Sequence, residues 1–547
     1  MCSRRRSLCW PLPLVVLPLL AVGGPAAARC PDQCRCRPHA VDCSSAHLSS
    51  VPISLDPRIH LLQLEDNTIA SIADSLVFYQ SLQELDLSGN NLTTLGEQQL
   101  SLQQQLHQLQ LADNQLSELR RGALEGLGRL ERLDLSGNKL SSLEDGVFVA
   151  TPRLHWLSLA RNSLRSLDHE ALLGLGELEI LDLSGNQLTR VPSVAFRHLG
   201  RLRTLKLADN QITEVAFHAF FLLRSLHELS LAGNQVTIIH AEAFSELHEL
   251  RQLDLSSNQL DAFPATALAP LRLEELDAGD NLFPSLRPRH LDGLPRLRVV
   301  RFCGSERLTD VSEHAFSNNR LLEEVHLCEN PNLRWLPRTA VDSLRRLRVL
   351  NIGGNGLETL QNMTSLLQRV ETFNVSGNPL VCNCSARWLW ELPGRVPNAS
   401  AVSEVLCAGS GRLLSSLSEQ DLDCGWWVAA TIAAAASLLV TVCAAIVIVL
   451  VVRRRRYRDR SRSSVLGGTI SDEKQRPQLT PAASAKAPDR SAARGHSHFT
   501  LLSEDYVTDR SGVGRGDYTG DCDGDYARVY DDAYMRDYSV KVPSVVV

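Results

Sequence analysis

LQELDLSGNNL at residues 82–92, LERLDLSGNKL at 130–140, LEILDLSGNQL at 178–188 and LRQLDLSSNQL at 250–260 repeat one pattern of leucines before an asparagine. The pattern can be followed from about Ile59 to Leu380 in fourteen copies of 23 to 25 residues. Such a period predicts an array in which each copy forms one structural unit. The asparagine position is occupied by Asn67, Asn90, Asn114, Asn138, Asn162, Asn186, Asn210, Asn234, Asn258, Asn281, Ser305, Asn330, Asn355 and Asn378.

The spacing LxxLxLxxNxL is that of a leucine-rich repeat. Alternating leucines such as Leu85 and Leu87 mark a short strand with one buried face, and the next copy adds a parallel strand about 4.8 Å away. Asn90 and its equivalents can satisfy backbone groups where each strand ends. We therefore expect an α/β-type solenoid over residues 59–380, with its parallel sheet on a concave face.

Phenylalanines recur in the middle of several copies. Because buried aromatic side chains are the usual use of such a stripe, we interpret it as a second inward row on the convex side. Function is then expected on the strand residues between the leucines. The phenylalanines are Phe148, Phe196, Phe220, Phe244 and Phe316.

Composition argues against several function classes. The formal net charge is -6, and the repeats show no basic groove with interleaved aromatic residues, so nucleic-acid binding is not expected. No catalytic motif or cofactor-binding motif occurs, so we expect neither an enzyme nor a cofactor. His60, His107 and His155 occupy equivalent positions in alternate copies, about 9.6 Å apart, which is too far to share a metal ion.

The array is preceded by two short segments. Residues 1–28 combine three arginines, an apolar run and a final Ala26-Ala27-Ala28, which indicates a cleaved secretory signal peptide. Residues 29–58 then contain four cysteines in CPDQCRCRPHAVDC. In a secreted chain such spacing favours a disulfide-bonded cap over a zinc site, since two separated cysteine pairs are lacking.

Cys303 and Cys328 occupy the same position in successive copies. Neighbouring parallel strands place equivalent Cα atoms about 4.8 Å apart, within disulfide range, so we expect a bond between them. Two free thiols are the alternative. The bond would offset weaker packing in copies 10 and 11, where Ala278 replaces a leucine and Ser305 the asparagine.

Residues 428–452 contain no charged side chain and are long enough to cross a bilayer. Trp426 and Trp427 precede this segment and five arginines follow it closely, which predicts a plasma-membrane protein with an extracellular N-terminus. Sequons at Asn91, Asn362, Asn374 and Asn398 are then candidate glycosylation sites. A fifth, at Asn383, lies between two cysteines and is expected to be used least.

Residues 453–547 lack apolar periodicity and are expected to form a disordered cytoplasmic tail. Tyrosines crowd its end among aspartates, which favours phosphorylation and docking of phosphotyrosine-binding domains over an inert low-complexity tail. The terminal KVPSVVV places Val545 and Val547 at alternate positions, as in ligands of PDZ domains. The tail tyrosines in question are Tyr518, Tyr526, Tyr530, Tyr534 and Tyr538.

A partner-binding site is expected in copies 4 to 7. One strand position there is Arg132, Trp156, Ile180 and Thr204 in succession. A large aromatic residue beside an aliphatic one on a solvent-facing sheet is typical of an interface anchor. The alternative is that Trp156 only packs on neighbouring copies.

The cysteine-rich segment before the array and NPLVCNCSARWLWEL at 378–392 resemble the caps of extracellular leucine-rich repeat proteins, the second cap covering residues 381–424. Leu380 and Asn383 stand where that family usually has tryptophan and aspartate. The pairings implied by this resemblance are Cys30 with Cys36, Cys34 with Cys43, Cys382 with Cys407, and Cys384 with Cys424.

Residues 30–424 also resemble the Capricious and Tartan type of arthropod cell-surface proteins. The resemblance rests on LDPRIHLLQLEDNTI, VFYQSLQELDLSGN, AFSNNRLLEEVHL and NASAVSEVLC. It implies cell recognition and adhesion during development, including choice of neuronal partners, through binding of another ectodomain. The alternative is a signalling or immune receptor that captures a soluble ligand on the same solenoid.

Overall fold

The computed structural model describes residues 30–394, 402, 404–419, 421–422 and 426–463. Within them, short strands in chain order form a main sheet of sixteen strands. All neighbours pair in parallel except the first two strands, which form an antiparallel hairpin. The strands are Arg35–Arg37, Ala40–Asp42, Leu61–Gln63, Glu84–Asp86, Gln108–Gln110, Arg132–Asp134, Trp156–Ser158, Ile180–Asp182, Thr204–Lys206, Glu228–Ser230, Gln252–Asp254, Glu275–Asp277, Val299–Arg301, Glu324–His326, Val349–Asn351 and Thr372–Asn374.

The last fourteen of these strands each belong to one leucine-rich repeat. We number the repeats as rungs 1 to 14, from Leu61–Gln63 to Thr372–Asn374. The leucine-rich repeat solenoid expected from the sequence is thereby confirmed. The main sheet also begins earlier than the repeats, because Ala40–Asp42 of the N-terminal cap pairs with Leu61–Gln63 and so covers the first strand edge.

The return segments behind the sheet are mostly turns with short helical stretches. Two small parallel sheets also form there, from Glu214–Val215 with Ile238–Ile239 and from Ser285–Leu286 with Asp310–Val311. The short helices of the described residues are Leu76–Phe78, Ala195–His198, Ala265–Leu268, Pro288–His290, Arg338–Val341, Thr364–Leu367, Cys384–Ala386, Arg387–Trp390, Leu392–Gly394 and Leu414–Ser416.

Leucines from every rung form one continuous core, closed at the back by phenylalanines. Phe148, Phe196, Phe220, Phe244 and Phe316 are each at most 1% exposed, so the predicted inward stripe is confirmed. Continuous burial of this kind is what lets rungs that cannot fold alone stabilise one another.

Each buried asparagine ties its rung to the preceding one. Asn90 Oδ1 accepts the Ile69 N–H at 2.9 Å, and its Nδ2 donates to the Leu64 carbonyl at 2.9 Å and the Leu87 carbonyl at 3.0 Å. Equivalent bonds recur at the other asparagines. Ser305 keeps part of this pattern, since its hydroxyl accepts from the Asn281 N–H at 3.4 Å.

A separate helix, Trp426–Ser463, includes one segment, Ala430–Arg456, that is long and apolar enough to cross a membrane; it is the one such segment found in the described residues. The helix continues through residues 453–463, so the prediction of a disordered tail is wrong for this stretch. Arginine is a good helix former, so the basic residues extend the apolar helix rather than end it.

Candidate functional site

The outward side chains of the main sheet form the surface that we call the open face. In the strand of each of the fourteen rungs the middle residue is buried, while the first and third residues point away from the core. Successive rungs therefore present rows of equivalent side chains about 4.8 Å apart.

The four residues predicted to bind a partner form one such row. Arg132 is paired with Trp156, Trp156 with Ile180, and Ile180 with Thr204 on consecutive parallel strands. Trp156 and Ile180 are half-buried rather than fully exposed. The Arg132 guanidinium carbon lies 4.5 Å from the centre of the Trp156 ring, so part of the aromatic surface is already covered.

A shallow cavity of about 440 Å³ follows this row on rungs 7 to 11. The sequence analysis did not predict this cavity. A signal was present, because the third residues of these strands begin with Lys206, end with Arg301 and include acidic residues between them. Thr204 connects the two features, since its hydroxyl lies 3.3 Å from Glu228 Oε2. The charged side chains that line the cavity are Lys206, Glu228, Asp254, Glu275, Asp277 and Arg301.

The cavity is lined by more acidic than basic side chains. Arg301 pairs with Glu275, which leaves Glu228, Asp254 and Asp277 facing the same space as Lys206. Burial raises the pKa of the Asp277 carboxyl, and the nearby charge of Asp254 raises it further, although the Gly279 N–H donates to Asp277 at 3.0 Å. The cavity is thus suited to polar and basic groups of a partner.

Beside the open face, rungs 9 to 14 carry a row of alternating charges. Arg298 bridges two glutamates, at 3.7 Å to Glu274 and 3.1 Å to Glu323. Hydrogen bonds of 2.9 Å from Arg348 lower the pKa of the Glu371 carboxyl. This row is neutralised within the chain, so we do not place the partner site on it.

The predicted cysteines are found in the following arrangement. Disulfides join Cys30 to Cys36, Cys34 to Cys43, Cys303 to Cys328 and Cys382 to Cys407. Cys384 is also disulfide-bonded, while its expected partner Cys424 lies outside the described residues.

The sequons differ in accessibility. Asn91, Asn362 and Asn383 are exposed, whereas Asn374 is half-buried in the last strand and donates to Asn351 Oδ1 at 3.0 Å. Asn398 lies outside the described residues, as do the signal peptide and the tail positions Tyr518, Tyr526, Tyr530, Tyr534, Tyr538, Val545 and Val547.

Within the described part of the chain, no group of three or more His, Cys, Asp or Glu side chains is arranged to hold a metal ion. The open face presents an apolar pair, Trp156 and Ile180, beside a charged cavity.

Comparison with known proteins shows similarity to leucine-rich repeat proteins. Profiles described as leucine rich repeat match residues 104–164, 152–212 and 201–260, and a further one matches 81–102. The matching profiles describe repeats and no catalytic domain.

Reticulon-4 receptor-like 2 of Homo sapiens is 36% identical over 128 residues, covering 23% of this chain and 29% of that protein. Leucine-rich repeat-containing protein 3B of Mus musculus is 31% identical over 130 residues, covering 23% and 49%. The matches thus span less than half the length of either relative.

Solved structures share the fold. The Toll–Spätzle complex of Drosophila aligns with a TM-score of 0.53 at 20% identity, covering 67% of this chain and 58% of that one. A leucine-rich repeat protein of Leptospira interrogans aligns with a TM-score of 0.53 at 25% identity, covering 65% and 94%. The chain is therefore similar both to leucine-rich repeat solenoids in general and to named receptor-like members among them.

Proposed function

We propose that this protein is a single-pass cell-surface recognition and adhesion receptor that binds the ectodomain of another protein through the open face. Residues 1–28 would direct secretion, and the helix at 428–452 would anchor the solenoid outside the cell. The resemblance to Capricious and Tartan type proteins favours a role in developmental or neuronal partner choice.

The observation that carries the proposal is the apolar pair beside the charged cavity. Trp156 and Ile180 are neighbours on paired strands, and the cavity begins with Lys206 on rung 7, the rung that also carries Thr204. Aromatic anchors with a polar surround are the typical arrangement of an energetic centre in a protein interface. The cavity is open and charged, which suits protein side chains better than an enclosed apolar ligand.

A glycan placed on the open face tests the site without removing the apolar pair. Glu228→Asn creates a sequon with Leu229 and Ser230 in the cavity of rung 8. Gln235→Asn creates one with Val236 and Thr237 on the exposed side of the same rung, and it is the matched control. Gel mobility before and after glycosidase treatment establishes that each site is occupied.

Cells that display the full-length chain would be screened against an array of individual cell-surface and secreted ectodomains, this protein included. We expect binding to a membrane-bound ectodomain that Glu228→Asn abolishes and Gln235→Asn preserves. Equal binding by both variants, or no binding across the array, would contradict the proposed site. Binding only to a soluble ligand would favour the signalling or immune receptor instead.

We further propose that the tail links the receptor to cytoplasmic partners. Val545 and Val547 stand at alternate positions before the terminal carboxylate, which supports strand addition to a PDZ domain. A synthetic terminal peptide should bind PDZ domains that prefer an apolar residue two places before the end. Unchanged binding after amidation of its carboxylate would rule this out.

The clustered tail tyrosines support a second class of cytoplasmic partner. Phosphorylation adds charge and hydrogen-bond acceptors that phosphotyrosine-binding domains recognise. Phosphorylated and unphosphorylated peptides spanning residues 518–538 should therefore differ in binding to such domains. Equal binding by the two peptides would remove this part of the proposal.

A further inference from the structure

Exposed arginines line the edge of the solenoid where the strands of rungs 10 to 14 begin. We call these six residues the arginine ridge. In the equivalent position of rungs 4 to 9, arginines are interrupted by Glu177, Ser225 and Glu249, whereas no acidic residue interrupts the ridge. The ridge consists of Arg272, Arg296, Arg320, Arg345, Arg346 and Arg369, all exposed.

Strand register brings these residues into a row. Glu275, Val299, Glu324, Val349 and Thr372 are paired across consecutive parallel strands. Each ridge arginine precedes one of these residues by three or four positions. With about 4.8 Å between neighbouring strands, the ridge extends about 19 Å from first to last.

The ridge charges are not neutralised by the described part of the chain. None of the six arginines forms an ion pair with another described residue, whereas the corresponding Arg201 of rung 7 pairs with Glu177. The acidic residues beside the ridge are already engaged: Glu274 and Glu323 pair with Arg298. Glu371 likewise pairs with Arg348 at 2.9 Å.

We propose that the arginine ridge binds a linear sulfated polysaccharide of the cell surface or matrix. Guanidinium groups recognise tetrahedral anionic groups through paired N–H donors. A row of cations that supplies at least one arginine on each of five consecutive strands matches a linear polyanion, whose counterions are released on binding. Single-stranded nucleic acid fits less well, because no aromatic residue stands in the row to stack on bases.

Immobilised heparin is the probe for this site. Full-length protein in mild detergent would be compared with the triple variant Arg296→Gln, Arg346→Gln and Arg369→Gln. The matched control is Arg129→Gln, Arg153→Gln and Arg201→Gln, which removes the same charge from the equivalent position of rungs 4, 5 and 7. Hyaluronan, which lacks sulfate, and single-stranded RNA serve as comparison ligands, and thermal melting verifies that each variant is folded.

We expect the ridge variant to bind heparin about tenfold more weakly, since three exposed ion pairs together are worth about that factor. The control should stay within about twofold of the parent chain, and added salt should weaken its binding more steeply than that of the ridge variant. Equal losses in both variants, or tighter binding of hyaluronan or RNA than of heparin, would overturn the proposal. Its failure would leave the open-face site untouched, because the two surfaces share no residue.

Discussion

The guanidinium group of Arg132 lies over the ring of Trp156, with its central carbon 4.5 Å from the ring centre. The two side chains come from paired strands of rungs 4 and 5. A cation–π contact of this kind is worth about 0.5–1 kcal/mol at an exposed site. A double-mutant cycle of Arg132→Ala and Trp156→Ala, measured by urea unfolding, should give a coupling free energy of that size. A coupling near zero would mean that the contact contributes nothing to stability.

Partner binding should depend on the same tryptophan more strongly than stability does. Trp156→Ala is expected to weaken binding by about 2 kcal/mol or more, the loss typical of an interface hot spot. Phe217→Ala removes an exposed aromatic residue behind the sheet and is the control. Affinity for the partner found by the ectodomain screen is the measurement. Comparable affinities for the two variants would place the anchor elsewhere.

Replacing one of the buried asparagines that tie each rung to the preceding one should destabilise the solenoid. Asn210 Oδ1 accepts the Leu188 N–H at 3.1 Å, and its Nδ2 donates to the Leu183 carbonyl at 3.0 Å. Asn210→Ala leaves the buried Leu188 N–H without its acceptor and removes one of the two donors to the Leu183 carbonyl, the other being Asn186 Nδ2. The change is expected to cost about 1–3 kcal/mol of unfolding free energy. Gln211→Ala changes the exposed neighbour and should stay within about 0.5 kcal/mol. Similar midpoints of urea unfolding for the two variants would show that the hydrogen bonds of the buried asparagine do not stabilise the solenoid.

The disulfide between rungs 11 and 12 should stabilise the chain measurably. Closing a loop of this size is worth about 3 kcal/mol when the unfolded chain is restricted. The double variant Cys303→Ser and Cys328→Ser should therefore melt at a lower temperature and reach the cell surface less efficiently. Cys443→Ser, which changes a free cysteine of the helix, is the control. Unchanged melting in the double variant would show that the bond is dispensable.

The cavity should make stability depend on pH through Asp277. The pKa of the Asp277 carboxyl is raised in the folded protein. Its contribution to the free energy of unfolding is therefore fully present below the unfolded-state pKa of about 3.9, and it is lost as pH rises through the folded-state pKa. Asp277→Asn removes this dependence while keeping an oxygen that can accept the Gly279 N–H. The variant should be more stable than the parent chain at pH 7, and the difference should shrink below about pH 4. A constant difference between pH 3 and pH 7 in thermal melting would contradict this.

The sequence predicts the solenoid well because each rung depends on local rules. Leu85, Leu87 and Asn90 determine one strand and the turn that follows it, and the next rung uses the same residues again. The repeat period in the sequence therefore predicts which residues of neighbouring rungs contact one another. In most protein cores such long-range contacts cannot be predicted from a local pattern. The contact between Arg132 and Trp156 is harder to predict from the sequence. Strand pairing places the two residues side by side, but it does not determine the rotamers that stack one side chain on the other.

The cavity depends on side chains from five rungs. Ser230 is small, and Lys206 and Arg301 border the acidic residues between them. Its volume follows from side-chain directions that no single repeat specifies. The pKa shift of Asp277 likewise arises from burial by neighbouring rungs, which the sequence pattern does not encode.

The bond between Cys303 and Cys328 also determines how the solenoid responds to mechanical tension. Because each rung contacts mainly its neighbours, a pulling force detaches rungs one after another from an end. The two cysteines are 25 positions apart in the sequence, and the segment between them cannot lengthen while the bond is intact. Detachment of rungs 11 and 12 therefore gains less extension than detachment of two rungs without such a bond. Tension applied from the C-terminal side meets this pair of rungs before it reaches the Trp156 row.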